Sequence, residues 1–362
     1  MDTMTPPDGV ARRRAKRVAN AAGVARIAAS PQVPLLLMMS RRLITPVYRA
    51  AFLVAASSSG LLRLLDHRPC DADSLAGKME IRDVRLLRLW LDAGVRLGVL
   101  DQRFDGCYKP GSRAAKMLAK VRHDAAAAAL EEVLRYHVPA LLNAPSMLRE
   151  GRRFSLADQD GTVIARSTQV VTPLVHEAIT HSVPRTGPVR LLEIGCGSGV
   201  HVRHAASLNP HLTALAVDLQ AEVAKQCAEN IEDWGLADRV EVTQGDLRTL
   251  DLEPQFDLVT MHNNIYYFAE DERVEALRRA RELLTPGGRL LVTTACQGGH
   301  LSLDMLNLWL ECADFGGPLP KERELLEQLR EAGFADASAA KIVPGEEFRA
   351  FSGTNTDLAQ QD

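Results

Sequence analysis

The spacing of apolar positions changes near residue 189, and that change divides the chain. From there on, short apolar runs alternate with amphipathic ones. VRLLEIG, LTALAVD, RVEVTQGD, FDLVTMH and RLLVTTA read as strands, and HVRHAASLN, AEVAKQCAENIEDWG, EDERVEALRRARELL and KERELLEQLREAG read as helices. Strands separated by helices predict an α/β fold with a Rossmann-like, doubly wound, mostly parallel sheet. Two further runs, FADASAAKIV and EEFRAFSG, are split by Pro344-Gly345. They predict an antiparallel hairpin at one edge, which brings the sheet to seven strands.

Before residue 189 the period is helical. PLLLMMSRRLITPVYRAAFLVAASSSGLLRLL is so apolar that it must bury its faces, and a partner chain in a homodimer would cover them. In residues 60–120, CDADSLAGKM offers Asp and Ser caps to a short helix. IRDVRLLRLWLDAGVRLG predicts a longer one, with Val84, Leu87, Leu91 and Val95 on one face and Gly98 as its stop. VLDQRFDGCYKP predicts a hairpin with a type I′ turn at Asp105-Gly106. Helix, helix, hairpin is a winged-helix arrangement. Residues 121–188 predict helices that link this unit to the sheet, one of them spanning Ser167–His181, with Pro184 and Gly187-Pro188 at the boundary. The expected organisation is a flexible basic tail (1–30), a mainly α-helical winged-helix domain (31–120), a helical linker (121–188) and the α/β domain (189–362).

Composition narrows the function. The 362 residues carry a net charge of -3, which supplies no general field for nucleic acid. The long helix mixes Arg82, Arg85, Arg88 and Arg96 with Asp83 and Asp92, so no basic stripe marks it for DNA. RRRAKR at 12–17 reads as part of a solvated tail. The uncharged stretch between Arg49 and Arg63 has 13 residues, too few to span a bilayer. Six scattered cysteines lack C-x-x-C or metal-ligand spacing, and no signal-peptide pattern opens the chain. No membrane partner, no metal and a cytoplasmic location are expected.

The candidate chemistry starts at LLEIGCGSGVHVRHA. Gly195, Gly197 and Gly199 follow the first strand, where open α/β sheets bind ligands. A dinucleotide loop would place its third glycine at 200, which is Val. The second strand ends in Asp218, 19 residues after Gly199, and the third ends in Gly245-Asp246. A carboxylate at the first position suits ribose hydroxyls, and one at the second suits an exocyclic amine. An adenosine carrying something other than diphosphate fits that pair.

E-x-G-x-G-x-G, Asp218, Gly245-Asp246, the FDLVTMHNNIYYF strand and an LLTPGGRLLV hairpin occur in order. The series resembles the class I S-adenosylmethionine-dependent methyltransferases. The N-terminal unit resembles the winged-helix dimerisation domain of small-molecule O-methyltransferases. The resemblance implies S-adenosyl-L-methionine as cofactor. It places Gly195 and Gly197 at the methionine part, with Glu193 just before them among the cofactor-binding residues, Asp218 at the ribose, Leu219 beside the adenine, Asp246 and Leu247 at the adenine amine and ring, and Asn263 at the methionyl end. It also implies a catalytic His just after the fourth strand, and that position holds Tyr267. His262 and His300 are the candidates to replace it.

Methyl transfer from a sulfonium tolerates the loss. In-line positioning supplies roughly 7–11 kcal/mol, whereas a general base adds about 10²–10⁴-fold. The acceptor is expected to be a small aromatic or polycyclic molecule, methylated on O, N or C. It should lie between the 125–180 helices, the 262–268 segment and the 300–316 helix, against Met305, Leu306, Leu308 and Trp309. Two other readings compete: a winged-helix regulator sensing S-adenosylmethionine or a metabolite, and a non-methylating enzyme on the same fold.

Overall fold

The computed structural model describes residues 23–26 and 29–356, and the 12–17 basic cluster lies outside them. The chain divides into two compact units, Met1–Lys120 and Val121–Asp362.

In the first unit, α1 (Gln32–Met39) runs through a π-helical turn, Ser40–Ile44, into α2 (Thr45–Ser58) and then α3 (Leu61–His67). Asp71 caps α4 (Ala72–Lys78), accepting from the Ser74 N–H, and Asp83 caps α5 (Val84–Arg96), accepting from the Leu86 N–H. Leu87 and Leu91 of α5 are buried, as their spacing predicts. Strands β1 (Leu100–Gln102) and β2 (Tyr108–Pro110) pair antiparallel, and α6 (Arg113–Leu118) follows. Their turn is not type I′, which needs positive φ at both central residues. Gly106 has φ +81°, but Asp105 is not left-handed. The Asp105 carboxylate instead accepts from the Cys107 N–H at 3.1 Å, and the loop spans Arg103 to Cys107.

The second unit opens with α7 (Asp124–Glu132), a π-helical turn (Val133–His137) and α8 (Val138–Glu150). The helix expected over Ser167–His181 is two helices, α9 (Gly161–Ser167) and α10 (Thr172–Ser182), joined by a 3₁₀ turn. Pro173 in the first turn of α10 has no N–H to continue a helix from α9.

The sheet contains β3 (Val189–Ile194), β4 (Leu212–Asp218), β5 (Val240–Gln244), β6 (Phe256–His262), β7 (Leu284–Ala295), β8 (Ala335–Lys341) and β9 (Phe348–Thr354). Its order is β5-β4-β3-β6-β7-β9-β8. The first five strands are parallel, and β9 pairs antiparallel with both β7 and β8. The terminal pair therefore forms the antiparallel edge that Pro344-Gly345 signalled. LLTPGGRLLV is one strand rather than a hairpin: pairing with β6 breaks after Leu284 and resumes at Arg289. Helices α11 (Val200–Leu208), α12 (Ala221–Asp233), α13 (Arg273–Glu282), α14 (Leu301–Glu311) and α15 (Glu322–Glu331) connect the strands. The order reverses between β3 and β6, so a crevice opens at the carboxyl ends of β3, β4 and β6. Among the described residues, no helix is long and apolar enough to cross a membrane.

Candidate active site

The glycine loop is held from two sides. Gly195 has φ +68°, and a Cβ there would lie 2.6 Å from Asn264 Nδ2. That amide donates to the Ile194 carbonyl at 2.5 Å, tying the loop to the chain just past β6. Gly197 has φ +56°, and a Cβ there would meet only Ala165, at 3.9 Å. The loop is thus tight against protein at Gly195 and open toward the crevice at Gly197.

That crevice is a cavity of about 370 Å³. Gly195, Gly197, Asp218, Leu219, Asp246, Leu247 and Asn263 all line it, with His262 and Tyr267. The Gly197 N–H donates to Asp218 Oδ2 at 3.0 Å, and the Gln220 N–H donates to Oδ1 at 3.1 Å. Burial raises the Asp218 carboxyl, while N–H donation from Gln220, Gly197 and Leu219 pulls it back. Asp246 accepts from the Arg248 N–H at 3.0 Å and from Arg248 Nε at 3.1 Å. Asn263 sits left-handed at φ 54°, turning the chain directly after β6.

Glu193 is absent from this wall. It lies in the interior of β3, 1 % exposed, paired in register with Ala216 and Thr260. Burial, with the Cys227 and Asp218 charges adding to it, holds its carboxyl protonated well above the usual range, and Oε1 has no partner. Cys196 is 2 % exposed, and its contact with Cys227 together with burial raises the thiol, so it fills space as a neutral group.

The three base candidates are placed very differently. His262 is buried, its Nδ1 shares a hydrogen bond with Thr293 Oγ1 at 2.8 Å, and its Nε2 has no partner. Burial, then the neighbouring His201 and His176, keep the ring neutral well below the ordinary His range. It ends a row of imidazoles: His262 and His201 centroids are 5.1 Å apart, His201 and His176 5.5 Å, and His176 stacks on His204 at 4.0 Å. Tyr267 is enclosed, and burial raises its hydroxyl despite donation from Gln159 Nε2 at 2.7 Å. His300 is exposed and paired with Glu346 Oε2 at 3.0 Å.

A second cavity of about 360 Å³ shares Ile164, Thr168, Asn263 and Tyr267 with the first. Tyr266, Leu306, Trp309 and Phe348 give it an apolar wall, and His300 lines it too. Met305 and Leu308 do not line it. The sequence reading missed Asn264, Gln220, Gln159 and Glu132, which line one cavity or the other. Among the described residues, no group of three His, Cys, Asp or Glu is arranged to hold a metal.

The open side of Gly197, the Asp218 carboxylate and the unpartnered, shielded Asn264 Oδ1 fit an aminoacyl nucleoside, which brings hydroxyl and ammonium donors. Residues 192–290 match the family described as a methyltransferase domain. The 3-hydroxy-5-methyl-1-naphthoate 3-O-methyltransferase of Streptomyces sahachiroi is 25% identical over 261 residues, 69% of this chain and 75% of that protein. The demethylspheroidene O-methyltransferase of Cereibacter sphaeroides is 26% identical over 305 residues, 79% of this chain and 77% of that protein. The solved structure of PigF with SAH superposes with a TM-score of 0.68 at 20% identity, covering 90% of this chain and 99% of that one. With a glycine loop and crevice that suit the cofactor, the chain carries an S-adenosylmethionine-dependent methyltransferase domain and is similar over most of its length to small-molecule O-methyltransferases.

Proposed function

We propose that the protein methylates a hydroxyl oxygen of a small aromatic or polycyclic acceptor held in the second cavity. The observation that carries this is the shared wall: Asn263 and Tyr267 line both cavities, so two ligands can meet there. The S. sahachiroi relative is named for a naphthoate acceptor, which supports the aromatic class. When bound, the cofactor supplies a methyl group on a sulfonium. The chain's part is to hold the reactants. Gly195, Gly197 and Asn263 would seat the methionyl end, Asp218 the ribose hydroxyls, and Leu219, Asp246 and Leu247 the adenine. Glu193 would act from beneath the loop, as a buried neutral group.

None of the three base candidates is placed as a strong base for the acceptor. Tyr267 is a half-buried phenol with a raised pKa, His262 is held neutral far below the working range, and His300 is engaged by Glu346. In-line positioning therefore carries the rate, and the acceptor proton leaves to water. Amine or carbon acceptors are the alternatives.

The proposal extends to organisation: a dimerisation unit over 31–120, a helical linker over 121–188 and a catalytic domain over 189–362. In the first unit Leu36 and Leu37 are each 57 % exposed and Val47 59 %, an apolar face suited to a second copy. The reading also includes a cytoplasmic location and no nucleic-acid partner, since Arg88 is paired with Asp73 at 2.6 Å.

Calorimetry with S-adenosylmethionine and with NAD, followed by mass spectrometry of hydroxylated aromatics incubated with the protein, tests the reading. Cofactor binding and a product heavier by one methylene group are expected. Tight NAD binding, or turnover without that mass gain, would reject it.

A further inference from the structure

The acceptor cavity holds a shielded acceptor oxygen that the chain leaves unpartnered and a carboxylate whose ion pair is long. Gln159 is 6 % exposed. Its Nε2 is committed to the Tyr267 hydroxyl, and its Oε1 is shielded from solvent with no partner. A buried amide oxygen ordinarily has a donor, so one is missing here. Glu132, at the end of α7, lines the same cavity with 19 % of its side chain exposed. His137 Nε2 lies 3.6 Å from its carboxylate, an ion-pair distance but longer than a hydrogen bond. The adjacent Glu131 is the residue that takes the local cations, Arg135 at 2.8 Å and Arg166 at 3.8 Å. Glu132 is close enough to Tyr266 and Tyr267 for its charge to raise both hydroxyls.

The rest of the wall sharpens the sign. It carries Glu346 and Glu347 besides Glu132, and neither Lys nor Arg. Glu346 is matched by His300, and Glu347 by Lys341 and Arg349. Glu132 is matched only loosely, by His137 at 3.6 Å. An anionic substituent near it would be repelled and would find no counter-charge, whereas an ammonium group would be attracted and could donate to both oxygens.

We propose, on the footing of the methyltransferase reading above, that Gln159 and Glu132 form a specificity site for an amino group, so that the acceptor is a hydroxylated aromatic that also carries a protonated amine. The hydroxyl lies toward Asn263 and Tyr267, where the two cavities meet, and the amine lies toward α7. Gln159 links the two ends, because the same amide that accepts from the amine positions Tyr267.

The test uses the full-length protein saturated with S-adenosylhomocysteine. Three bicyclic phenols differ in one substituent, aminomethyl, hydroxymethyl or carboxylate, and calorimetry measures each affinity. The aminomethyl compound is expected to bind at least about tenfold more tightly than the carboxylate, with the hydroxymethyl compound between them. Glu132→Gln, nearly isosteric, should reduce the amine-to-carboxylate ratio about tenfold. Gln159→Leu should weaken the amine and hydroxymethyl compounds, and Glu132→Gln should leave S-adenosylhomocysteine affinity unaltered, since Glu132 does not line the first cavity. Equal affinities, tighter binding of the carboxylate, no binding of any member, or a ratio unmoved by Glu132→Gln would overturn the proposal. Failure of the wild-type protein to bind S-adenosylhomocysteine would overturn the methyltransferase reading itself, and the proposal with it.

Discussion

Acidification should destabilise this fold through His201, and the structure sets the size of the effect. His201 sits between His262 and His176, with Nδ1 shielded and unpartnered. Burial, then the His176 and His204 rings, push it down to about 3. The groups facing the row are His204 with its Thr180 bond, the Val200 carbonyl beside His176, Arg185 near His204, and Thr293 on His262. An unfolded chain takes up a proton at His201 below about pH 6.5. The folded chain refuses it until about pH 3. The His201 contribution is therefore complete above the unfolded value and is lost as pH falls toward the folded one. The loss is about 1.4 kcal/mol per unit, so at pH 5 it reaches at most about 2 kcal/mol. Glu193 works the other way, since its raised carboxyl contributes below the ordinary carboxylate pKa and loses that contribution as pH rises. The whole-protein slope mixes the two, so the comparison must be with a variant. Urea unfolding followed by tryptophan fluorescence at pH 7.5, 6 and 5 would be measured for wild type and His201→Gln. The variant should lose up to about 2 kcal/mol less than wild type between pH 7.5 and 5. A stability difference that stays constant across that range would refute the reasoning, because it would mean that His201 titrates alike in both states.

Three other outcomes are expected. Gly195→Ala should cost about 1–3 kcal/mol in unfolding free energy, because the residue is left-handed and its new Cβ meets the Asn264 amide; S-adenosylhomocysteine affinity should fall with it, and a variant unchanged in both would remove the loop argument. Asp218→Ala should weaken cofactor binding by about 1.5–3 kcal/mol in calorimetry, since a charged acceptor is lost from the groove. Tyr267→Phe, which keeps the ring stacked on Phe315, should lower kcat by less than about tenfold; a loss of 10²–10⁴-fold with a displaced pH profile would make Tyr267 a base after all.

The sequence makes the loop legible because its signals are local. Three glycines at alternate positions, an Asp at the end of the next strand and Gly245-Asp246 at the end of the third need only strand order to be read. The broken helix between Gly161 and Ser182 is less legible, since its apolar period runs across the 3₁₀ turn and only Pro173 marks the restart. Glu193 is harder still. Strand β3 is buried at every position except Arg190, so no alternation tells which side chains face the ligand. Asn264 and Gln159 are invisible for another reason. Asn264 acts on Ile194 across 70 residues and Gln159 on Tyr267 across 108, and an isolated amide carries no pattern that announces either partner.

The π-helical turn at Val133–His137 gives the chain a adjustable element beside its acceptor cavity. Such a turn is what an α-helix becomes when one residue is inserted, and each residue in a regular helix advances the face by roughly 100°. Deleting one residue from 133–137 would let α7 and α8 run as a single regular helix. Glu132, which precedes the turn, would keep its station, while Tyr136 and Trp309, now packed with ring centroids 5.8 Å apart, would lose their register. The back of the cavity would change shape while the glycine loop, in another part of the chain, kept its own contacts. Length at that one turn is thus a handle on which molecule fits, separate from the grip on the cofactor.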